Sequence, residues 1–221
     1  MTTRNMELSL ELISAERKAT SEGEEEVAFQ TNAGRNKGRL HPVDGADLAI
    51  VWVFGAGGGL GGPAGGAYHR LAKQMKEKKV ASLELDYRHA GHLEHCIADV
   101  LLAVSYLKSL DLSRFILVGH SFGGAVVISA GAISNDVIGV AALSSQTYGT
   151  YLAGKLSPKP LLLIHGTGDE VLPYAGSAEI YKRANQPKEI IYYEGCRHGL
   201  DQCTNELDRD LMKWLNKVIN S

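Results

Sequence analysis

The residues of this sequence best suited to chemistry centre on Ser121, within residues 119–123, which have the pattern Gly-x-Ser-x-Gly. An apolar run at residues 115–118 leads into this segment, and small and apolar residues that suit a helix follow it. A sharp strand-to-helix turn of this kind, a nucleophile elbow, holds its serine in a strained conformation and exposes the hydroxyl as a nucleophile. Gly119 and Gly123 leave room for the turn because they carry no Cβ. An ordinary turn is the alternative, since Gly and Ser are common turn residues.

An aspartate and a histidine follow downstream, each in a loop after a further apolar run. Residues 161–165 lead into the loop that contains Asp169, and residues 189–193 lead into the loop that contains His198. Loops beyond the carboxyl ends of parallel strands are where α/β proteins assemble their sites. We therefore expect Asp169 and His198 to lie at the same edge of a sheet as Ser121.

Strand-like and helix-like segments alternate from Leu48 onward, which predicts an α/β fold with a mostly parallel central sheet and helices on both faces. Residues 48–54 are continuously apolar, as expected of a strand that helices cover on both faces. The further predicted strands are residues 80–85, 115–118, 138–143, 161–165 and 189–193. The predicted helices are residues 65–78, 93–107, 122–134, 175–184 and 205–219.

The first forty-odd residues predict antiparallel strands at the margin of this sheet. The leucines within residues 8–12 alternate with polar residues, as in a half-exposed strand. A second strand is predicted at residues 27–30 and a further piece at residues 39–41, with a turn-like stretch between them at residues 32–38.

Length and charge limit the classes of function. The chain has 221 residues and a mass of 23.8 kDa, enough for one substantial core, so we expect a single domain over residues 1–221. Its 23 basic and 25 acidic residues are mixed along the chain, and no basic block predicts a nucleic-acid or membrane partner. The acidic run at residues 22–26 is expected to be a solvated turn.

Targeting signals and cysteines give the expected setting. No apolar stretch approaches the roughly 20 residues that span a bilayer, and residues 1–7 lack the apolar segment of a signal peptide. Cys96, Cys196 and Cys203 are an odd number, at spacings that indicate no disulfide framework. We therefore expect a reducing, cytoplasmic setting.

The chain order Ser121, Asp169, His198, with each residue just after its own strand, is the order of the α/β-hydrolase triad. Over about residues 48–219 the sequence resembles an α/β hydrolase of the small dienelactone-hydrolase or carboxylesterase-like type. The resemblance implies the α/β-hydrolase fold and a serine hydrolase that cleaves a small or medium carboxylic ester or thioester through an acyl-enzyme, with no cofactor. It also implies that His198 accepts the Ser121 proton and that Asp169 fixes the imidazole tautomer.

The resemblance further implies an oxyanion hole, a pair of N–H groups that bind the negative oxygen of the tetrahedral intermediate. One donor is the backbone N–H of Phe122, directly after the nucleophile. Residues 55–59 resemble the family's oxyanion loop, which assigns the second donor to Ala56, with Gly57 as the nearby alternative. Many family members have His before the first loop glycine, whereas this chain has Phe54.

A cap domain is not expected, because too few residues connect the predicted strands 138–143 and 161–165 to form one. The site should be shallow and open. The candidate substrate-binding and wall residues are Gly57, Tyr87, Arg88, Tyr148, Tyr151, Leu172 and Leu200. Arg88 is a hypothetical partner for a substrate carboxylate, which a guanidinium binds well; an internal salt bridge is the alternative.

Two other kinds of site match parts of the sequence. Residues 57–62 satisfy G-x-G-x-x-G, and Asp86 ends the next strand, as in a dinucleotide-binding unit; this tract is so rich in glycine that the match carries little weight. A metal site is the second, suggested by His89, His92, His95 and Cys96. Exposure at a loop and helix start explains these four residues better, so no metal is expected.

Simpler interpretations of the three site residues remain open. Asp169 is also suited to capping the following helix, in which case Glu170, Glu194 or Asp201 would supply the acid. His198 is alternatively a surface histidine. For the whole protein the alternative to an enzyme is a non-catalytic ligand-binding or scaffold protein, since a fold does not guarantee turnover.

Overall fold

The computed structural model describes residues 10–221, which contain nine β-strands and five α-helices. The strands are β1 Leu12–Ala19, β2 Glu25–Thr31, β3 Gly34–His41, β4 Leu48–Val53, β5 Ala81–Leu85, β6 Arg114–His120, β7 Val137–Leu143, β8 Leu161–Gly166 and β9 Lys188–Tyr193. The helices are α1 Pro63–Glu77, α2 Leu93–Lys108, α3 Phe122–Ile133, α4 Ala175–Arg183 and α5 Thr204–Ile219. Short 3₁₀ helices lie at Ala153–Lys155 and Asp201–Cys203.

All nine strands belong to one sheet, in the order β1-β2-β3-β5-β4-β6-β7-β8-β9. The pairs from β5 through β9 are parallel, and the pairs among β1, β2, β3 and β5 are antiparallel. The mostly parallel sheet and the antiparallel N-terminal margin are therefore confirmed. Within residues 10–221 no cap domain interrupts the connection from β7 to β8, which holds only the first short 3₁₀ helix.

Two hydrophobic cores, one on each face of the sheet, hold the layers together. Along β4 the side chains alternate: Val51 and Val53 pack in the core that includes α2 and α3, whereas Ile50 and Trp52 pack in the core that includes α1 and α5. All four are fully buried. Burying a side chain of this size contributes about 1.5–3 kcal/mol, so the continuous apolar run that predicted β4 also supplies much of its stability.

The N-terminal margin departs from the prediction. Residues 34–38 belong to β3 and only residues 32 and 33 form the turn, so the turn-like interpretation of 32–38 is wrong for most of its length. Gly38 pairs with Leu85, and a Cβ at Gly38 would lie 2.8 Å from the carbonyl oxygen of Glu84. This glycine permits close strand packing. Of the strand predicted at residues 8–12, β1 includes only Leu12, and Leu8 lies outside the described residues.

A further correction concerns the acidic run at residues 22–26. Glu24 is only 5% exposed and lies directly before β2, so this part of the run is not solvated. Across the described part of the chain, no helix combines the length and the apolar character needed to cross a membrane.

Candidate active site

The turn between β6 and α3 holds Ser121 at φ 58° and ψ −120°, a conformation that residues with a Cβ rarely adopt. A Cβ at Gly119 would overlap the carbonyl oxygen of Gly123, and a Cβ at Gly123 would overlap the carbonyl oxygen of Phe54. The two glycines are therefore required by close backbone approach on either side of the serine. The strand-to-helix turn expected at residues 119–123 is formed.

Two hydrogen bonds connect the three side chains that the sequence places in separate loops. His198 Nδ1 lies 2.7 Å from Asp169 Oδ2, and His198 Nε2 lies 3.0 Å from Ser121 Oγ. Because an ionised carboxylate only accepts hydrogen bonds, Nδ1 carries the proton and Nε2 accepts the bond from the Ser121 hydroxyl. The His198 side chain is only 15% exposed, which excludes the surface-histidine alternative. This geometry allows a proton to pass from Ser121 to His198 during nucleophilic attack.

The Asp169 carboxylate is completely buried and receives two further hydrogen bonds from its own loop. Its Oδ1 accepts the backbone N–H groups of Val171 and Leu172, both at 2.8 Å. Burial alone would raise the pKa of Asp169, but these N–H groups and the His198 ring together hold the pKa below its usual value. The N-cap of α4 is Tyr174, so the alternative that Asp169 caps this helix is wrong.

His165, near the end of β8, binds the same carboxylate and was not predicted. Its Nε2 lies 3.0 Å from Asp169 Oδ2 and 3.1 Å from the carbonyl oxygen of Leu172. Both partners accept hydrogen bonds, so Nε2 carries the proton, and the Ser177 hydroxyl donates to Nδ1 at 2.7 Å. Burial lowers the pKa of His165, which keeps the ring neutral. Its position four residues before Asp169, at a strand end, was the available signal.

His120, directly before the nucleophile, is a second unpredicted contact of the site. Its Nε2 donates to the carbonyl oxygen of His198 at 2.9 Å, and its ring stacks on Phe54 with centroids 5.4 Å apart. Burial lowers the pKa of His120 to about 4, so the ring is neutral at physiological pH. Phe54, which stands where many α/β hydrolases have His, thus packs against the ring that holds the His198 loop.

Two backbone segments border Ser121 and carry the predicted oxyanion donors. Phe122 begins α3, where the first N–H groups of a helix have no partner within the helix. Residues 55–57 pass along the other side, since a Cβ on Gly55 would lie 3.8 Å from Ser121 Oγ. Ala56 and Gly57 are exposed in this segment.

Two carboxylates at the end of β5 bind the rest of the glycine-rich loop. The N–H groups of Gly59 and Tyr87 donate to Asp86 Oδ1, at 2.6 Å and 2.9 Å, and the N–H of Gly61 donates to Glu84 Oε2 at 2.8 Å. Asp86, which a dinucleotide site would direct at a ribose, is instead an internal acceptor. This engagement argues against the dinucleotide interpretation.

Arg88 is not available to a substrate, and this hypothesis is corrected. Its guanidinium forms an ion pair with Asp99 of α2, and the two side chains are 3% and 0% exposed. A second nitrogen donates to the carbonyl oxygen of Ala33 at 3.2 Å. The alternative stated above, an internal salt bridge, is what the structure contains.

The other candidate wall residues divide by exposure. Tyr148 and Tyr151 are 64% and 71% exposed. Tyr148 adjoins the nucleophile through Gln146, whose N–H donates to the carbonyl oxygen of Ser121 at 3.3 Å and whose side-chain amide donates to the carbonyl oxygen of Tyr148 at 3.0 Å. Leu172 is half-buried beside Asp169.

Two residues in that set are buried and do not form open walls. Leu200 is fully buried in the core beneath α5. Tyr87 is 7% exposed, and its hydroxyl donates to the carbonyl oxygen of Phe54 at 3.2 Å.

The alternative acids do not lie beside His198. Glu170, Glu194 and Asp201 are exposed, and Asp201 accepts the N–H of Gly65 at 3.0 Å, so none replaces Asp169 beside His198.

The histidines of the alternative metal site lie near one another. The rings of His89, His92 and His95 contact one another with centroids 5.2–6.4 Å apart. Within residues 10–221, however, the one group of three or more potential metal ligands whose atoms converge lies elsewhere, at Glu24, His41 and His69.

Comparison with known sequences gives partial matches. A family model described as "Serine aminopeptidase, S33" matches residues 140–205, a stretch that includes Asp169 and His198 but not Ser121. The Escherichia coli protein YfhR, described as uncharacterized, is 27% identical in an alignment 190 residues long that covers 71% of this chain and 65% of that protein. The chain therefore spans slightly less than two thirds of the length of this relative.

Solved structures match over most of the chain. A dienelactone hydrolase from Anabaena variabilis superposes with a TM-score of 0.73 at 15% identity, covering 92% of this chain and 98% of that chain. A putative α/β hydrolase from Agrobacterium tumefaciens superposes with a TM-score of 0.74 at 22% identity, covering 88% and 96% of the two chains. At these identities the likeness concerns the fold.

Proposed function

We propose that this chain, which has the α/β-hydrolase fold, is a serine hydrolase that cleaves small or medium carboxylic esters or thioesters through an acyl-enzyme. The observation that carries the proposal is the pair of hydrogen bonds from Ser121 through His198 to Asp169, at 3.0 Å and 2.7 Å. The hydrolases among the structural neighbours and the partial family match support hydrolysis in general.

In the proposed mechanism Ser121 attacks the carbonyl carbon of the ester. His198 Nε2 takes the hydroxyl proton and then delivers it to the leaving alcohol or thiol. Asp169 keeps the proton on His198 Nδ1 and stabilises the imidazolium, without itself becoming protonated. A water molecule, activated by the same histidine, then hydrolyses the acyl-enzyme.

The negative oxygen of the tetrahedral intermediate is proposed to bind the backbone N–H groups of Phe122 and Ala56, with Gly57 as the nearby alternative. Both segments border Ser121, and a helix N-terminus favours negative charge. A preorganised donor of this kind contributes about 2.7–4 kcal/mol to transition-state stabilisation.

Exposed apolar side chains beside the site support an uncharged organic substrate. Tyr148 is joined through Gln146 to the carbonyl oxygen of Ser121, and the N–H of Val171 donates to Asp169. Both side chains are exposed, and within residues 10–221 no cap covers them. Since Arg88 is buried in an ion pair, it offers nothing to a substrate carboxylate. We therefore propose that neutral esters with small or medium acyl groups are preferred, and that Tyr148 and Leu172 contact them.

The test is hydrolysis of p-nitrophenyl esters of increasing chain length, beside acyl-CoA thioesters and aminoacyl anilides. The wild type should hydrolyse esters or thioesters, and Ser121→Ala should reduce kcat to background. The matched control is Ser113→Ala, an exposed serine at the opposite end of β6, which should retain full activity. Hydrolysis restricted to the anilides would replace the ester proposal with a peptidase, and hydrolysis of no substrate would favour a binding protein.

A further inference from the structure

A second cluster of polar side chains lies where β2, β3, β5 and α1 meet. Glu24 directly precedes β2, His41 ends β3, His69 lies in α1 and Glu84 lies in β5. Glu24 and His41 are 5% and 0% exposed, and the His69 side chain is 30% exposed. One oxygen of Glu24 and one ring nitrogen from each histidine lie within 4.8 Å of one another.

Glu84 orients both rings toward Glu24. Its Oε1 lies 2.9 Å from His41 Nε2 and 3.3 Å from His69 Nδ1. An ionised carboxylate only accepts hydrogen bonds, so His41 Nε2 carries the proton and His41 Nδ1 presents a lone pair 3.9 Å from Glu24 Oε1. His69 Nδ1 also lies 3.2 Å from Arg39 Nη1, which only donates, so both tautomers of His69 have a partner at this nitrogen. His69 Nε2 lies 3.5 Å from Glu24 Oε1. Two buried acceptors, His41 Nδ1 and Glu24 Oε1, thus face one another with no proton between them.

Both of these acceptor atoms, His41 Nδ1 and Glu24 Oε1, are buried, and neither accepts a hydrogen bond. Buried polar atoms without a partner are unfavourable and uncommon, and an ion that binds them is one established reason for them. The two atoms here lie 3.9 Å apart, and a ring nitrogen of His69 lies within 4.8 Å of both.

Two basic side chains form ion pairs with the carboxylates of the cluster. Lys73 Nζ is 3.5 Å from Glu24 Oε1 and forms its shorter contact, 2.7 Å, with Glu22. Arg39 Nη1 lies 3.4 Å from Glu84 Oε1, and Arg39 Nε lies 3.6 Å from Glu24 Oε2. Neither cation reaches His41 Nδ1 with a hydrogen bond.

We propose that Glu24, His41 and His69 bind one divalent transition-metal ion, with Zn²⁺ as the ion that best suits their chemistry. Two imidazoles and a carboxylate are ordinary zinc donors, and water would complete a tetrahedral site. Metal–ligand bonds of about 2.0–2.1 Å require the three ligand atoms to approach one another slightly more closely than they do here. Glu84 supplies the outer carboxylate that fixes ligand tautomers in many zinc sites.

The proposed ion connects the N-terminal strands to the loop beside the candidate active site. It would fasten the turn before β2 and the end of β3 to α1, while Glu84 Oε2 accepts the N–H of Gly61. Its role is therefore structural support. The proposal does not depend on ester hydrolysis, because none of its ligands belongs to the proposed catalytic residues.

The test uses the full chain, freed of metal with a chelator and titrated with ZnCl₂ by calorimetry. The wild type should bind one Zn²⁺ per chain and melt at a higher temperature with zinc. Co²⁺ should give the intense visible absorption of a tetrahedral site. His69→Phe and Glu24→Gln should each weaken binding at least tenfold and remove the zinc-dependent shift in Tm. His69 is half-exposed, so His69→Phe should fold even if a change at Glu24 does not.

The matched control is His92→Phe, the same change at an exposed histidine of α2's N-cap, which should bind zinc like the wild type. Lys73→Gln should bind severalfold more tightly, because it removes a positive charge next to the ion. The proposal is overturned if the wild type shows no saturable binding, if His69→Phe keeps the site, or if His92→Phe loses it. Weaker binding by Lys73→Gln would also contradict it.

Discussion

The surroundings of Asp169 distinguish it from the other candidate carboxylates near His198. Its two oxygens accept four hydrogen bonds, from His198, His165 and the N–H groups of Val171 and Leu172. The exposed carboxylate of Glu170, one residue later, has no such environment. From the sequence alone several carboxylates remained candidates for the acid, since the order of residues does not show which carboxylate is buried and hydrogen-bonded within its loop.

The first prediction is that Asp169→Asn lowers kcat for ester hydrolysis by about 10³–10⁴-fold, because an amide neither stabilises the imidazolium nor enforces the tautomer that accepts the serine proton. Initial rates with a p-nitrophenyl ester measure the effect. Glu170→Gln, the neighbouring and equally conservative change, should leave the rate within twofold. A large loss of activity in Glu170→Gln with little loss in Asp169→Asn would show that Glu170, and not Asp169, is the acid.

The second prediction concerns the buried pair of Arg88 and Asp99. Arg88→Leu should lower the free energy of unfolding by about 3–5 kcal/mol, because it leaves the Asp99 carboxylate buried without its partner. Urea denaturation measures this. Lys108→Leu, which breaks the exposed pair with Asp136, should cost less than about 1 kcal/mol.

Substrate preference separates the two roles considered for Arg88. The ratio of turnover on neutral and acidic esters should be the same in Arg88→Leu as in the wild type. If the variant does not fold, Arg88→Leu combined with Asp99→Leu removes both charges and allows the same comparison. A selective loss on acidic esters would restore the substrate role.

Among the strands and helices, the site depends on hydrogen bonds between loops that follow different strands. Ser121 follows β6, Asp169 follows β8 and His198 follows β9. His120, the last residue of β6, donates to the carbonyl oxygen of His198 and so fixes the β9 loop against the nucleophile turn. The parallel strands were predictable from apolar runs that alternate with helical segments. The bond from His120 was not, because no local sequence pattern marks a histidine that donates to a backbone oxygen of another loop.

The third prediction is a pH dependence of stability that originates at His120. Burial lowers the pKa of this histidine from 6.5 to about 4 in the folded chain. Between these values the unfolded chain binds a proton that the folded chain does not, so the free energy of unfolding falls as the pH falls. The loss reaches about 3 kcal/mol near pH 4, at about 1.4 kcal/mol for each unit of pKa.

Denaturation in urea at pH 7, 6, 5 and 4 measures this dependence. His120→Gln, which retains a donor but does not titrate, should show a shallower decline than the wild type. His92→Gln, at an exposed position, should decline like the wild type. If the free energy of unfolding falls equally with pH in the wild type and in His120→Gln, His120 protonates as readily in the folded chain as in the unfolded chain, which contradicts the prediction.

For the molecule as a whole, the parallel half of the fold and the convergence of Ser121, Asp169 and His198 could be predicted from the sequence. Buried parallel strands read as continuous apolar runs, and motif residues directly follow them. The N-terminal margin was less accessible: Gly38 suggested a turn, although it permits close packing of β3 on β5. The Glu24, His41 and His69 cluster was invisible, because separate segments of the chain meet there only after the sheet forms.

We propose that folding assembles a reactive serine at residue 121, and covalent labelling of the protein measures this reactivity. A fluorophosphonate probe, followed by peptide mass spectrometry, should give one adduct, on Ser121, in the folded protein. The adduct should be absent from Ser121→Ala and from the wild type unfolded in urea, where His198 and Asp169 are no longer beside the serine. An unlabelled folded wild type, or equal labelling of folded and unfolded chains, would contradict the account.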